Sequence, residues 1–244
     1  MMEVIVSMFA LEKDMTPVVA HSMQQLSTIL SESIEKFNAS ALALELPVKY
    51  RIVDVVIAYS LPDSIPKDLS GLGGFKYLNG FAIGILSMFL VYKKVSTRRL
   101  KNELFLELDV IETYINKLLR YNLITQVSRN TYEATSWKSL STLGLISIEL
   151  KLCNWKEAME QAEFNLSFSD YSFVALDKAR ISSSEEILPY FKQRNIGLLA
   201  VCDNGEIESI YIPQKNKNFD RRTYMAQRIK IIQDLALKQK WKQL

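Results

Sequence analysis

The sequence predicts an α/β protein: a central mixed sheet flanked by helices, interrupted by an inserted, mainly helical module. Three observations predict it. Apolar, strand-like runs at 41–48, 51–59, 143–152 and 171–176 alternate with helical periodicity, the texture of a sheet covered by helices. A stretch rich in Pro and Gly after residue 59 opens a self-contained pattern of three helices and a hairpin. And 244 residues exceed one average domain of roughly 150, which leaves room for an insertion. The expected organisation is a core in two parts, 1–60 and 140–244, around a module at 61–139.

Composition narrows the function classes. A hydrophobic fraction of 48% with 23% charged residues excludes a mainly disordered chain, a collagen-like chain and a membrane bundle. The net charge is only +3, so any nucleic-acid surface must come from local clustering. Cys153 and Cys202 have no Cys or His at metal-ligand spacing, which fits a reducing, cytoplasmic setting and leaves zinc chemistry unsupported. The apolar start MMEVIVSMFAL lacks the basic flank and cleavage site of a signal peptide. Phe81–Tyr92 is too short for a bilayer span of about 20 residues, so it reads as a buried helix.

Asp14-Met15-Thr16-Pro17 is a helix start, and Val18, Met23, Leu26, Ile29, Leu30, Ile34 and Phe37 predict one long helix over 17–37. Two strands follow, and the second, RIVDVVIAY, carries Asp54 in its middle. SLPDSIPKDLSGLGG is a linker; Gly71-Leu72-Gly73-Gly74 lacks the Lys-Ser/Thr of a phosphate loop. Helices are expected over 79–94, 97–104 with Ser96 as cap, and 107–121. Leu123–Val127 and Thr131–Thr135 flank a tip at Ser128-Arg129-Asn130, completing the order of a winged helix-turn-helix. The strand LGLISIELKL comes next, then a capping box at Asn154 and Glu157 opens a helix over 155–166. A strand at 171–176, a helix over 184–194, a hairpin across Asp203-Asn204-Gly205 and a basic helix over 221–242 close the chain.

The chemistry-bearing residues share strand faces. Side chains alternate along a strand, so Glu149 and Lys151 project to one face while Ile148, Leu150 and Leu152 take the other. Charges inside an apolar strand are costly unless paired or bound to an ion. Asp54 stands in the same situation between Val53 and Val55. Two carboxylates and a lysine on neighbouring strands make a site for Mg²⁺, with Mn²⁺ able to substitute, where the lysine orients water or stabilises charge on phosphorus. The alternative is a structural ion pair.

These residues, in the order helix, strand, strand with Asp54, strand with Glu149 and Lys151, helix, strand, resemble the PD-(D/E)XK, or restriction-endonuclease-like, nuclease superfamily. The resemblance covers about 17–59 and 143–176. It implies a restriction-endonuclease-like core, metal binding by Asp54 and Glu149, catalysis with Lys151, and support from Gln161 in the following helix. It also implies a glutamate from the first helix; Glu32 is preferred over Glu35, and Glu45 on the first strand is a weaker candidate. Val53 precedes Asp54 where the family pattern has proline, and the literal Pro62-Asp63 lies in the linker. The gap from Asp54 to Glu149 exceeds the family's usual spacing by the inserted module. Size and order are also similar to nuclease-like members carried by archaeal viruses, in which case the cytoplasm would be the host's.

The implied activity is Mg²⁺-dependent hydrolysis of DNA phosphodiesters by a dimer, with branched DNA among the candidate substrates and no small-molecule cofactor or membrane partner. Lys93, Lys94, Arg98, Arg99 and Lys101, with Arg129 at the wing tip, are the candidate DNA contacts; a structural or dimer role for the module is the alternative. The whole chain also reads as a catalytically silent DNA-binding or transcription-regulating protein on a nuclease scaffold. The basic C-terminal helix reads as a solvated face that also tracks phosphate or lines a dimer groove. His21, Trp137, Trp155 and Trp241 read as packing or surface residues.

Overall fold

The RIVDVVIAY run pairs on both sides, because its β-branched residues fit a pleated surface buried on two faces. A computed structural model describes residues 9–34, 39–48, 51–59, 74, 77–135, 144–181, 184–202, 204–217 and 221–238. A 3₁₀ turn, Glu12–Asp14, leads into α1 (Met15–His21) and α2 (Met23–Ser33), then β1 (Ala39–Val48) and β2 (Arg51–Tyr59). Next come α3 (Gly80–Val91), β3 (Val95–Ser96), α4 (Thr97–Leu104), α5 (Leu108–Arg120), β4 (Ile124–Ser128) and β5 (Thr131–Ala134). The chain continues as β6 (Gly144–Lys151), α6 (Trp155–Asn165), β7 (Tyr171–Asp177), α7 (Ser184–Arg194), β8 (Gly197–Val201), β9 (Ile207–Tyr211) and α8 (Arg221–Lys238).

The chain divides into two units. The first is a mixed α/β unit whose six-stranded sheet has the order β1-β2-β6-β7-β8-β9. β6, β7 and β8 run parallel, linked through α6 and α7, and the outer pairs are antiparallel. Ile146, Ile148 and Leu150 of β6, with Val55 and Ile57 of β2, pack against Met15, Val19, Leu26 and Leu30 of α1 and α2. On the other face Val174, Leu176 and Leu198 meet Ala158, Met159 and Ala162 of α6 and Phe191 of α7. The odd-numbered positions of β6 belong to this second face, which puts Glu149 and Lys151 on the side of α6.

The second unit holds Leu61–Leu143 and Asp220–Trp241. α3 is buried nearly all round, as its uniformly apolar sequence requires. Ile85, Leu86 and Phe89 form a core with Leu100 of α4, Ile111, Ile115 and Leu118 of α5 and Tyr132 of β5. Ser96 caps its helix as the sequence predicts, accepting from Arg99 N, and Asn79 caps α3 by accepting from Ala82 N. The ribbon gains a strand the sequence did not announce: β3 pairs with β5, giving the order β3-β5-β4.

Two expectations are corrected. The single helix over 17–37 is two, broken at Ser22, whose hydroxyl donates to Gly205 O at 2.5 Å. The C-terminal helix, expected in the second part of the core, packs instead on the module. Ile229 of α8 enters the core around α3, and Gln233 Nε2 donates to Leu78 O at 3.0 Å. The insertion itself is simply closed: Tyr59 and Gly144, which bracket it, are paired across β2 and β6. Among the described residues, no helix is long and apolar enough to cross a membrane.

Candidate active site

Asp54 and Glu149 meet at the end of the β2–β6 ladder. The paired residues run from Tyr59–Gly144 to Val55–Ile148 and stop there. Beyond the last pair, Asp54 Oδ2 accepts the Leu150 backbone N–H at 2.7 Å, so a side chain takes over where strand pairing ends. Glu149 is 3% exposed and hydrogen-bonded to Asp54. Its Oε1 accepts from Asn165 Nδ2 at 2.6 Å, and Asn165 on α6 is itself buried.

Burial first, and the Asp54 charge second, push the Glu149 carboxyl up to about 8; the Asn165 and Lys151 contributions oppose this without cancelling it. Burial also raises Asp54, against the lowering effect of the Leu150 N–H and Lys151. Two carboxyl groups held this close cannot both ionise cheaply, so near neutrality the pair keeps a proton.

Lys151 lies one step further along the same face. Its Nζ contacts Glu12 Oε2 at 2.8 Å and Glu157 Oε1 at 3.5 Å. Burial pulls its ammonium downward, but Glu12 and Glu157 more than offset that and leave it raised. Gln161 Nε2 donates to the same Glu157 Oε1 at 3.4 Å, as residues four apart on a helix can. The expected Gln161 thus reaches the site through Glu157 and Lys151 instead of touching the carboxylates.

Among the described residues, Glu32, the expected first-helix glutamate, makes no contact with the cluster. α2 is tied to β9 through Gln25, which donates to Ile207 O and accepts Ile207 N–H, and Glu32 is exposed near its end. Glu35 lies outside the described residues. Glu45 is exposed on β1 at φ 48°, within a local irregularity. The acid that does reach the cluster is Glu12, ahead of α1. Asn165 was missed as well, although its spacing marks it: Ala158, Ala162 and Asn165 form one helical stripe, and all three are buried.

The donor set decides which ions suit the site. Among the described residues no group of three or more His, Cys, Asp and Glu converges as a metal cluster. Once the shared proton is released, two adjacent carboxylates are a donor set of the kind Mg²⁺ takes, since it uses one or two carboxylates, keeps several waters and takes substrate phosphate oxygens.

In the second unit, Lys93, Lys94, Arg98, Arg99, Lys101 and Arg129 are all exposed. Two of these side chains have intramolecular partners: Arg99 stacks over Tyr92, 4.4 Å from its centroid, and Lys101 pairs with Glu107 at 3.2 Å. Lys93, Lys94, Arg98 and Arg129 make no ion pair among the described residues. On α8, Arg221 and Arg222 are exposed, whereas Arg228 is buried against Tyr224. His21 is exposed with its Nδ1 2.6 Å from Pro17 O, and Trp155 packs with Tyr190 and Phe191. Trp137, Trp241 and Pro62-Asp63 lie outside the described residues. Comparison with family models, curated proteins and solved structures finds no match to the chain.

Proposed function

We propose that this chain is a divalent-metal-dependent deoxyribonuclease, with a restriction-endonuclease-like core and a winged-helix-like module that grips DNA. One observation carries the reading: a buried, proton-sharing Asp54–Glu149 pair at a strand end, with Lys151 next on the same face. Keeping two carboxylates and an ammonium in an apolar sheet is expensive, and binding a cation with its phosphate ligand is a use that offsets the cost.

Asp54 and Glu149 would hold the metal, each already oriented by a hydrogen bond from Leu150 N–H or Asn165. When bound, Mg²⁺ supplies Lewis acidity at a phosphate oxygen and a water of lowered pKa. The Lys151 ammonium, fixed by Glu12 and Glu157, is placed to orient water or to stabilise the charge that builds on phosphorus. In the second unit, Lys93, Lys94, Arg98 and Arg129 would supply salt-dependent, largely sequence-independent affinity for the DNA backbone.

A second reading rests on Lys151. Its ammonium is engaged by two carboxylates, as in a structural ion pair of a DNA-binding protein that does not cut. Digestion of supercoiled plasmid and of a branched-DNA panel decides between them, with wild type run beside Glu149→Ala and Lys151→Ala in Mg²⁺, Mn²⁺ or chelator. The nuclease reading expects metal-dependent cleavage that both substitutions abolish. Tight, salt-sensitive binding without cleavage of any substrate favours the silent reading.

A further inference from the structure

A cavity of about 410 Å³ opens in the first unit, its lining including Cys153, Trp155, Leu176, Arg180, Glu186 and Tyr190. It lies outside the carboxyl ends of the parallel strands β6 and β7, where open α/β sheets commonly bind ligands. It also adjoins the carboxylate–lysine cluster through the chain. Cys153 follows Lys151 by two residues, and Trp155 opens the helix whose Glu157 holds Lys151.

The lining is chemically specific. Trp155 and Tyr190 pack on one another at a tilt, with ring centroids 5.3 Å apart and planes 36° from parallel; Trp155 also packs on Phe191, and Tyr190, 51% exposed, is the more open ring. Arg180 is fixed by two acceptors: Nη2 donates to Phe9 O at 2.9 Å and Nε lies 3.3 Å from Asp177 Oδ2. A guanidinium has five donors, and among the described residues these two contacts are the ones Arg180 makes. Aromatic faces beside a fixed cation and a carboxylate suit a flat, hydrogen-bonding heterocycle attached to a phosphate chain. The volume falls within the range of sites that enclose small organic groups.

We infer that this cavity takes an unstacked nucleobase of the substrate strand, beside the phosphate that is cut. The inference rests on the nuclease reading and deepens it. A base can enter only where it has left its duplex stack, so the preferred substrate carries a single-stranded extension, flap or branch. Stacking on aromatic side chains tolerates any base, which makes the preference one of structure and not of sequence.

The test is binding of a short single-stranded oligonucleotide containing 2-aminopurine, followed by its fluorescence in chelator. Tyr190→Ala and Arg180→Gln alter exposed side chains, and thermal unfolding checks that both fold. A third arm blocks the cavity by attaching a bulky maleimide to Cys153 in a Cys202→Ser background. The expected result is a quenched probe and roughly tenfold weaker binding in each arm, about 1.4 kcal/mol, within the range of one base–aromatic stack. Affinity within twofold of wild type in all three arms, or no binding by wild type, overturns the inference. Cleavage in Mg²⁺ is scored separately on a blunt duplex and on the same duplex with a flap. Absent cleavage with probe binding intact is a failure of the nuclease reading alone; intact cleavage with unchanged probe affinity is a failure of the cavity alone.

Discussion

Replacing Glu149 by Gln should remove a pH-dependent loss of stability from the metal-free protein. In the folded chain the Glu149 carboxyl titrates at about 8, against 4.5 for the ordinary group. Below 4.5 both folded and unfolded chains hold the proton, and nothing is lost. As pH rises through the interval, the unfolded chain releases its proton while the folded chain keeps it. The unfolded state then binds fewer protons, so stability falls with pH until the folded group also titrates. The whole interval corresponds to roughly 5 kcal/mol at most, and the part between pH 6 and pH 8 to about 2–3 kcal/mol. The Gln side chain keeps the shape and the acceptor for Asn165, and its amide donates to Asp54 as the protonated acid does. Scanning calorimetry in chelator at pH 6, 7 and 8 reads the difference. Wild type should lose about 5–10 °C relative to Glu149→Gln across that range, using roughly 2–4 °C per kcal/mol for a chain of this size. Parallel melting curves for the two proteins would refute the assignment of the proton to this carboxylate pair.

Three further outcomes follow from the same contacts. Asn165→Leu removes the donor to Glu149 and should cost about 1–3 kcal/mol by denaturant unfolding, while weakening Mg²⁺ binding measured by calorimetric titration. Glu12→Gln removes the carboxylate that holds Lys151 Nζ at 2.8 Å and raises its ammonium, so Lys151 should titrate lower and react faster with an amine-acylating reagent near pH 8, read by peptide mass spectrometry. Exchanging Lys93, Lys94, Arg98 and Arg129 for Ser should flatten the salt dependence of DNA binding by up to about four ion equivalents, measured by fluorescence anisotropy; an unchanged slope would place the DNA elsewhere.

The strands were legible because their signal is local. RIVDVVIAY and LGLISIELKL carry enough β-branched and apolar residues to announce buried strands, and period-two alternation alone puts Glu149 and Lys151 on one face. The caps at Ser96 and Asn154 were legible for the same reason, since each acts within three residues. What escaped depends on distant parts of the chain. The break at Ser22 is fixed by Gly205, 183 residues away, and Glu12 meets Lys151 across 139 residues. The amphipathic pattern of α8 says that one side is buried but not in which unit. Asn165 is the intermediate case: its place on the Ala158–Ala162 stripe was readable as a polar group facing the sheet, but its partner was not.

The claim on which the functional reading turns is that Asp54 and Glu149 hold a divalent ion. Electron paramagnetic resonance of Mn²⁺ tests it most directly, with the protein bound to a phosphorothioate DNA that resists cleavage. Wild type should remove at least one equivalent of free Mn²⁺ signal per chain, and Asp54→Asn and Glu149→Gln should each remove less. Equal Mn²⁺ uptake by all three proteins, or none by wild type, would contradict a metal site at this carboxylate pair.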